Sequence, residues 1–507
     1  MFNIKQVFII FIALVVISGC KKSFLDVEPQ GNLTEEQALK DPDAAEKMVG
    51  GVYNTLYMGG FDPTTFGFLF VLATDVASDD GDKGSTPSDF GSAGEIDNFT
   101  FTPSNFIFDN IWRGHYTGIA RANRAIDILS KSTFDETVKN RLIGESRFIR
   151  ALYYFNLVRL FGGVPKLIRV PEPSEGNNEE FQTRATKEAI YQIITEDLQF
   201  GVDNLPEKSG SGVGKATKGA AQAYLAKVYL YLKNYQKAYE LSKAVMTSNK
   251  YSLVRDYNLI FRQNAVGGDG GNNNSESIFE IQTGLNVAKD AVSPLFSNGQ
   301  GARSKGGWND VGLGFNTPTS DLVSAYEPND VRKNATVIFI TPTLPANSPG
   351  TVLWDGFRIP SQDSVENSRY SYKAYHSILK ESVPLDGDKD KRPKNIRTMR
   401  YAEVLLINAE AAANAGGDAQ TPLNEVRERA GLTPVPATIA NIWKERRVEL
   451  AMEQDRFFDL VRQGRAGTVL RAHGKNFVDG KNELFPIPQN QRDLSGGRLA
   501  QNPGYGN

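Results

Sequence analysis

One cysteine, Cys20, closes the one long apolar run of this 507-residue chain, and this constrains the fold more than any other feature. Residues 7–17 are an unbroken stretch of eleven apolar residues preceded by Lys5 and followed by Ser18-Gly19-Cys20. A bilayer-spanning helix needs about 18 or more apolar residues, so this run has the length of a signal-peptide core. No second run of that kind follows, so the body beyond residue 20 is expected to be soluble. It must hold together without an internal disulfide, because Cys20 has no cysteine partner. Its hydrophobic content of 40% is enough for a sizeable core. The net charge is −2, and loss of residues 1–19 removes only Lys5 and leaves −3. With no basic block, nothing in the charge pattern points to nucleic acid as a partner.

The hydrophobic periodicity past the tether is helical. Residues 20–33 read as a polar tether, with Pro29 and Gly31 near its end. A helix is expected from Thr34, with Glu35 and Glu36 in its positive first turn, pausing at Asp41-Pro42 and running on to 57. Residues 58–105, rich in Gly, Asp, Ser and Thr with scattered aromatics, read as a long loop region of the kind that carries function. Apolar residues at three- and four-residue spacing predict helices over 112–129, 138–161 and 186–200. Within 217–247, small residues (Ala220, Ala223, Ala226, Ala238) face larger ones (Leu225, Tyr229, Tyr235, Leu241) across a turn near Asn234. This is the pattern of a tetratricopeptide-type helical hairpin, and a related pair is expected at 400–415 and 422–430. Residues 262–400 are irregular, with strand-like stretches at 278–281 and 336–340. A charged helix is expected over 442–464. The fold class is therefore mostly α, with tetratricopeptide-like helix pairs and an irregular, loop-rich half. The domains are 1–19 (signal peptide), 20–33 (tether), 34–247 (N-terminal helical domain) and 262–507 (C-terminal domain).

Catalytic signatures are missing from this pattern. His115, His376 and His473 stand far apart, in no metal-binding spacing. Gly212-Val213-Gly214-Lys215 fails as a phosphate loop, because Ser209 stands where the first glycine belongs and Ala216 where a hydroxyl would hold magnesium. There is no Gly-x-Ser-x-Gly elbow. Asp79 and Asp80 open an acidic cluster without the glutamate of a calcium-binding EF-hand loop. A solvated loop or a polar sugar-contact site is the expected role. Within 445–462, Glu449 and Glu453 lie four apart and Arg456, Asp459 and Arg462 three apart, the spacing of a salt-bridged scaffold helix.

Two resemblances give these elements a context. Ile17-Ser18-Gly19-Cys20 resembles the bacterial lipobox, whose cysteine is acylated and becomes the new N-terminus. The competing reading is an ordinary signal peptide with an incidental cysteine. The body resembles the SusD/RagB family of nutrient-uptake outer-membrane lipoproteins of the Bacteroidetes. The segments that carry the likeness are Arg147–Phe155, Leu160-Phe161-Gly162-Gly163-Val164-Pro165, the 218–246 hairpin, Arg400–Ala411, Asn424–Gly431, Glu445–Leu450, Arg456–Arg462, Leu484–Pro488 and Asn502-Pro503-Gly504-Tyr505. Their order, together with the lipobox, spans nearly the whole chain.

The resemblance implies a SusD-like helical fold whose irregular half carries the ligand contacts. It implies a lipid on Cys20, an outer-membrane location facing the cell exterior, and a SusC-like TonB-dependent barrel as partner. It implies capture of an oligosaccharide (in some members a peptide) and no enzymatic activity. A surface hydrolase is the disfavoured alternative. No cofactor is expected, although the Asp-rich loops permit structural calcium.

Sugar binding calls for flat aromatic faces and planar polar groups. By residue type and loop context, the ligand-binding candidates are Asp79, Asp80, Phe90, Asn98 and Phe99 in the first loop region, and Trp308 and Trp354 in the later one. Trp112 and Trp443 sit on helical patterns and are expected in the core.

Overall fold

The computed structural model describes residues 35–176, 178–283, 295–305, 312–342, 350–382 and 392–506. The signal segment, Cys20, the tether and Trp308 lie outside the described residues.

The body is built on long helices: α1 (Pro42–Tyr53), the short α2 (Phe68–Thr74) and α3 (Gly91–Asn98), α4 (Phe106–Ser130), α5 (Glu136–Phe161) and α6 (Lys187–Asn204). Local chemistry fixes their ends. The Asn105 side chain accepts from the Ile107 amide to start α4, and Asp135 accepts from the amides of Thr137 and Val138 to start α5. α5 stops at Gly162, whose φ of +74° a side chain would resist. The C-terminal half of α5 is buried on nearly all sides, which marks it as the central helix of the core. α4 crosses it closely at Gly118, where an added Cβ would fall 2.1 Å from the Tyr153 ring.

The expected hairpin follows as α7 (Lys218–Tyr231) and α8 (Tyr235–Thr247), capped by Thr217 and Asn234, with Lys233 in the left-handed region between them. α9 (Tyr401–Ala415) lies across this hairpin and leads into α10 (Gln420–Arg429), so the second helical pair forms where the pattern placed it. Ala226, Leu230, Ala238, Ile407 and Ala411 share one small core between α7, α8 and α9. The strands are short and pair by twos: β1 (Gly81–Gly84) with β3 (Phe315–Pro318), β2 (Ser277–Ile281) with β6 (Ile396–Arg400), and β4 (Val337–Phe339) with β5 (Arg369–Ser371), all antiparallel. The main hydrophobic core runs from Ala45 to Leu499, so the N- and C-terminal parts of the chain share it. Among the described residues no helix is long and apolar enough to cross a membrane.

Two expectations change. The 58–105 region is not one long loop, since α2 is fully buried and α3 and β1 lie within it. The composition hid α2 because its seven residues are too few to show a period. The charged segment 442–464 is not one helix. It forms α11 (Ile439–Leu450) and α12 (Arg456–Arg462), separated by a bend in which Met452 and Gln454 both take φ of +64°. Partners outside the segment hold the bend: the Gln454 amide donates to the Asp75 carboxylate at 2.9 Å.

That bend lets the segment's charges reach in several directions, and a buried ionic seam results. Arg400 meets Glu276, Glu449 (3.0 Å) and Glu453 (2.7 Å), and Arg429 meets Glu276 (3.0 Å) and Glu449 (2.6 Å). Arg332 reaches Glu445 and Glu449 at 2.6 and 3.0 Å. On the other side, Arg446 binds Glu403, Asp455 and Asp459, and Lys227 of α7 binds Glu403 and Asp455. Burial opposes charging Glu449 and Asp455, but the surrounding cations overcome it and hold both carboxyls well below the usual range.

Candidate functional site

Asp79 and Asp80 belong to this seam and not to a ligand surface, which corrects their expected role. Arg456 clamps Asp79 with two hydrogen bonds of 2.7 and 2.8 Å, and Arg447 binds Asp80 at 2.8 Å. Both aspartates are fully buried. Burial would raise the Asp79 carboxyl, yet the Arg456 hydrogen bonds and the charges of Arg456 and Arg447 bring it down to about 2. A sequence pattern of adjacent acids does not distinguish a solvated loop from the anionic half of a buried ion pair. The same arginines neutralise the carboxylates that calcium would need.

Phe90 is half-buried at the edge of the main core. Together with Phe61, 50% exposed, and Phe106, 37% exposed, it forms an aromatic platform. The Phe61–Phe90 and Phe90–Phe106 ring centroids are each 5.5 Å apart. Beneath them Phe90 stacks on Phe68 at 6.2 Å and meets the edge of Phe315 at 5.7 Å. Phe90 has φ of +49°, a conformation that costs a bulky residue roughly 1–2 kcal/mol. This packing holds it there. Ser85, Phe99 and Asn316 are also left-handed, so strained backbone gathers around this region.

Phe99 turns inward instead. It is 6% exposed and packs against Phe101, Phe457 and Phe477, so it offers no free ring face. Its left-handed position at the end of α3 aims it into the core. Asn98 beside it is exposed, with its amide donating to the Gly94 carbonyl. Trp354 belongs to a second, smaller core, and the Arg262 guanidinium covers one ring face at 3.7 Å. The tryptophan is a local anchor and does not join the Phe90 platform. Trp112 is buried as expected, and Trp443 is partly exposed.

A groove of about 450 Å³ lies along the β1–β3 pair, walled by Asp82, Ser85, Thr317, Gln362, Glu366, Asn367 and Arg369. The loop from Ser85 to Phe90 joins groove to platform. Asp89 braces that loop, accepting from the Ser85 hydroxyl at 2.9 Å and from Arg303 at 2.8 Å. Arg369 is oriented by donating its Nε to the Pro318 carbonyl at 2.7 Å, and among the described residues no carboxylate pairs with it. Asn367 is fixed through its Nδ2 on the Ser85 carbonyl, which leaves its Oδ1 buried against Gly314. At one end His473 sits 3.3 Å from Asp82, and that hydrogen bond raises the imidazole above its usual pKa. The groove thus presents carboxylates, amides, hydroxyls and a guanidinium, with three rings beside it. Such a surface binds polyhydroxylated rings by stacking and by planar hydrogen bonds.

Sequence reasoning missed Phe61, Phe106 and the 362–369 wall. Phe61 lay in the loop region and went unremarked among other aromatics. Phe106 falls between the expected loop region, which ends at 105, and the expected helix, which begins at 112, and the wall comes from a segment more than 250 residues away in sequence from β1.

The fold and this surface define a class: a mostly helical protein with tetratricopeptide-like pairs and a loop-built, aromatic-and-polar binding face. Comparison with known proteins places it within that class. The family model described as SusD family matches residues 275–505, and a second, described as starch-binding and associating with outer membrane, matches 23–230. The chain belongs to the SusD/RagB family. It is 28% identical to SusD-like protein P2 of Formosa agariphila over 99% of this chain and 100% of that one. It is 24% identical to the starch-binding protein SusD of Bacteroides thetaiotaomicron over 76% of each chain. Among solved structures, a laminarin-binding SusD-like protein superposes with a TM-score of 0.75 at 28% identity, covering 91% of this chain and 99% of that one. The surface glycan-binding protein A of B. thetaiotaomicron, solved with laminarihexaose, shares the fold at a TM-score of 0.75 and 23% identity, over 91% of this chain and 99% of that one.

Proposed function

We propose that this chain is a lipid-anchored surface protein that captures oligosaccharides and passes them to a SusC-like TonB-dependent barrel in the outer membrane. The observation that carries the reading is the Phe61–Phe90–Phe106 platform set beside a groove of half-exposed amides and charges. Relatives described as laminarin-binding and starch-binding support the ligand class. A second model's description as associating with the outer membrane supports the location. On this reading the protein binds and does not turn over its ligand, and it needs no cofactor. Cys20 carries the lipid.

The test is affinity electrophoresis and calorimetry of the full chain against a panel of glycans, neutral and acidic. At least one glycan should retain the wild type, with retention weakened by Phe61→Ser. Binding of peptides in place of every glycan would overturn the ligand class, and product release from a glycan would overturn the non-enzymatic reading. Labelling with a lipid precursor should mark the wild type and spare Cys20→Ser. Pull-down should recover a barrel from the native membrane.

A further inference from the structure

A second cavity, separate from the groove along β1 and β3, opens beside α4. It encloses about 470 Å³ between α4, the segment around Phe181 and α13 (Gln489–Leu494). That volume lies within the range of small-ligand sites, roughly 300–1,000 Å³. Tyr116 and Phe181 supply rings against the buried edge of Trp112, and Gln491 supplies a planar amide, while the Gln182 amide is held by the Gly176 carbonyl and Arg498. Leu494 stands on its rim, 74% exposed, an apolar side chain left to water by the rest of the fold. The Gln491 Nε2 donates to Asp109 at 2.8 Å, which turns the amide to a fixed angle, and its Oε1 takes no hydrogen bond from a described residue. The Tyr116 hydroxyl donates to the Pro165 carbonyl at 2.9 Å, which fixes the ring. Rings and an oriented amide together are a composition that suits a sugar. A purely apolar protein contact would leave the Gln491 acceptor unpaired.

The position of this cavity on α4 carries the inference. Phe106 of the platform is the first residue of α4. At 3.6 residues per turn, positions 106, 109, 113, 117 and 120 fall on one face. That face is the solvent side, since Phe106, Arg113 and Ala120 are exposed and Asp109 and Thr117 half-buried. The cavity's α4 wall runs from Trp112 to Ala120. At 1.5 Å per residue its far end, Ala120, lies ~21 Å along the axis from Phe106. Platform and cavity are therefore two openings on one stripe of one rigid helix.

We infer that the cavity beside Tyr116 and Gln491 is a second oligosaccharide subsite, aligned with the platform so that one long glycan is gripped at both places. This rests on the glycan-capture reading. Two linked contacts on one chain add affinity through effective concentration, and a short oligosaccharide that reaches only one contact gains nothing from the other.

The experiment uses the full chain, its fold checked by thermal melting, and compares a polysaccharide with a short oligosaccharide of the same series. Laminarin and laminaribiose, which is too short to bridge the two places, are the first pair, followed by the rest of the glycan panel. Ala120→Trp fills the cavity from an exposed position, and the double variant Gln491→Ala/Leu494→Ser strips its rim without touching the core. Both should weaken retention on the polysaccharide by about tenfold or more while binding of the short oligosaccharide at the platform stays unchanged. Polysaccharide retention equal to wild type in both variants would overturn the second subsite and leave the capture reading standing. Failure of the wild type to bind any glycan would overturn the capture reading and the subsite with it.

Discussion

The ionic seam and the groove use the same residue types to opposite ends. In the seam, Arg400, Arg429 and Arg332 are buried and meet two or more carboxylates each. In the groove, Arg369 is half-exposed and donates to a carbonyl, with no described carboxylate in ion-pair contact. A charge removed from water must be paired, so the seam's geometry is closed and can take no ligand. A charge left at a wet surface and oriented by one hydrogen bond still has capacity. The difference separates the parts that hold the fold from the parts available for binding, and it can be broken by experiment.

The largest effect is expected from Arg400→Met. It leaves Glu276, Glu449 and Glu453 without their shared partner inside the core, and breaking a buried pair in this way costs about 3–5 kcal/mol. Urea unfolding should show that loss, and the surviving folded fraction should bind glycan as the wild type does. Loss of binding with unchanged stability would show that the seam serves the site directly.

Acid should act next on the seam. Asp79 is held at about 2 against an ordinary value of 3.8, so its folded pKa is depressed. The stability it contributes is present above pH ~4 and is lost as pH falls through 2, a difference on the order of 2 kcal/mol. Denaturant midpoints between pH 5 and 2 should fall for the wild type. In Asp79→Asn, already less stable at pH 5, the fall should be shallower. Parallel slopes would remove Asp79 from the account.

A smaller change is expected at the platform. Phe106→Ala removes a half-exposed ring, so stability should stay within about 0.5 kcal/mol. Glycan affinity should drop roughly tenfold, the scale of one stacking contact. Calorimetry checks the affinity and thermal melting the stability. A large loss of stability with no loss of affinity would make Phe106 a core residue.

The sequence carried these two regions unequally. Helical repeats were readable at α5 and at the α7–α8 hairpin because their apolar spacing and capping residues lie close together in the chain. The seam was half readable: residues 445–462 showed the charges and the scaffold role. The bend at Met452–Gln454 depends on Asp75, about 380 residues away, and no local pattern reports such a partner. The platform was readable only at Phe90. Phe61 and Phe106 look like any loop or helix aromatic until the fold sets them 5.5 Å from it. Asp79 and Asp80 misled for the converse reason, since composition reports charge and not burial.

The finest test of the contrast lies where a titratable pair borders the groove. His473 meets Asp82 at 3.3 Å, and the hydrogen bond raises the imidazole pKa above its usual value near 6.5. A raised histidine pKa means that the pair is fully formed at pH values below 6.5 and is lost as pH rises through the folded value. While it holds, Asp82 is drawn to His473. Once the imidazole is neutral, the carboxylate is released to accept sugar hydroxyls in the groove. Glycan affinity should therefore rise by about twofold between pH 6 and pH 8.5, the modest scale of a partly exposed pair. In His473→Gln the rise should vanish, with the fold intact and a stability loss at pH 6 of no more than about 1 kcal/mol. An imidazole titration followed by NMR, set beside calorimetry at both pH values, would decide it. A pH-independent wild type would place Asp82 with the seam, as a carboxylate whose partner is structural, and would move the boundary between the two regions one residue into the groove.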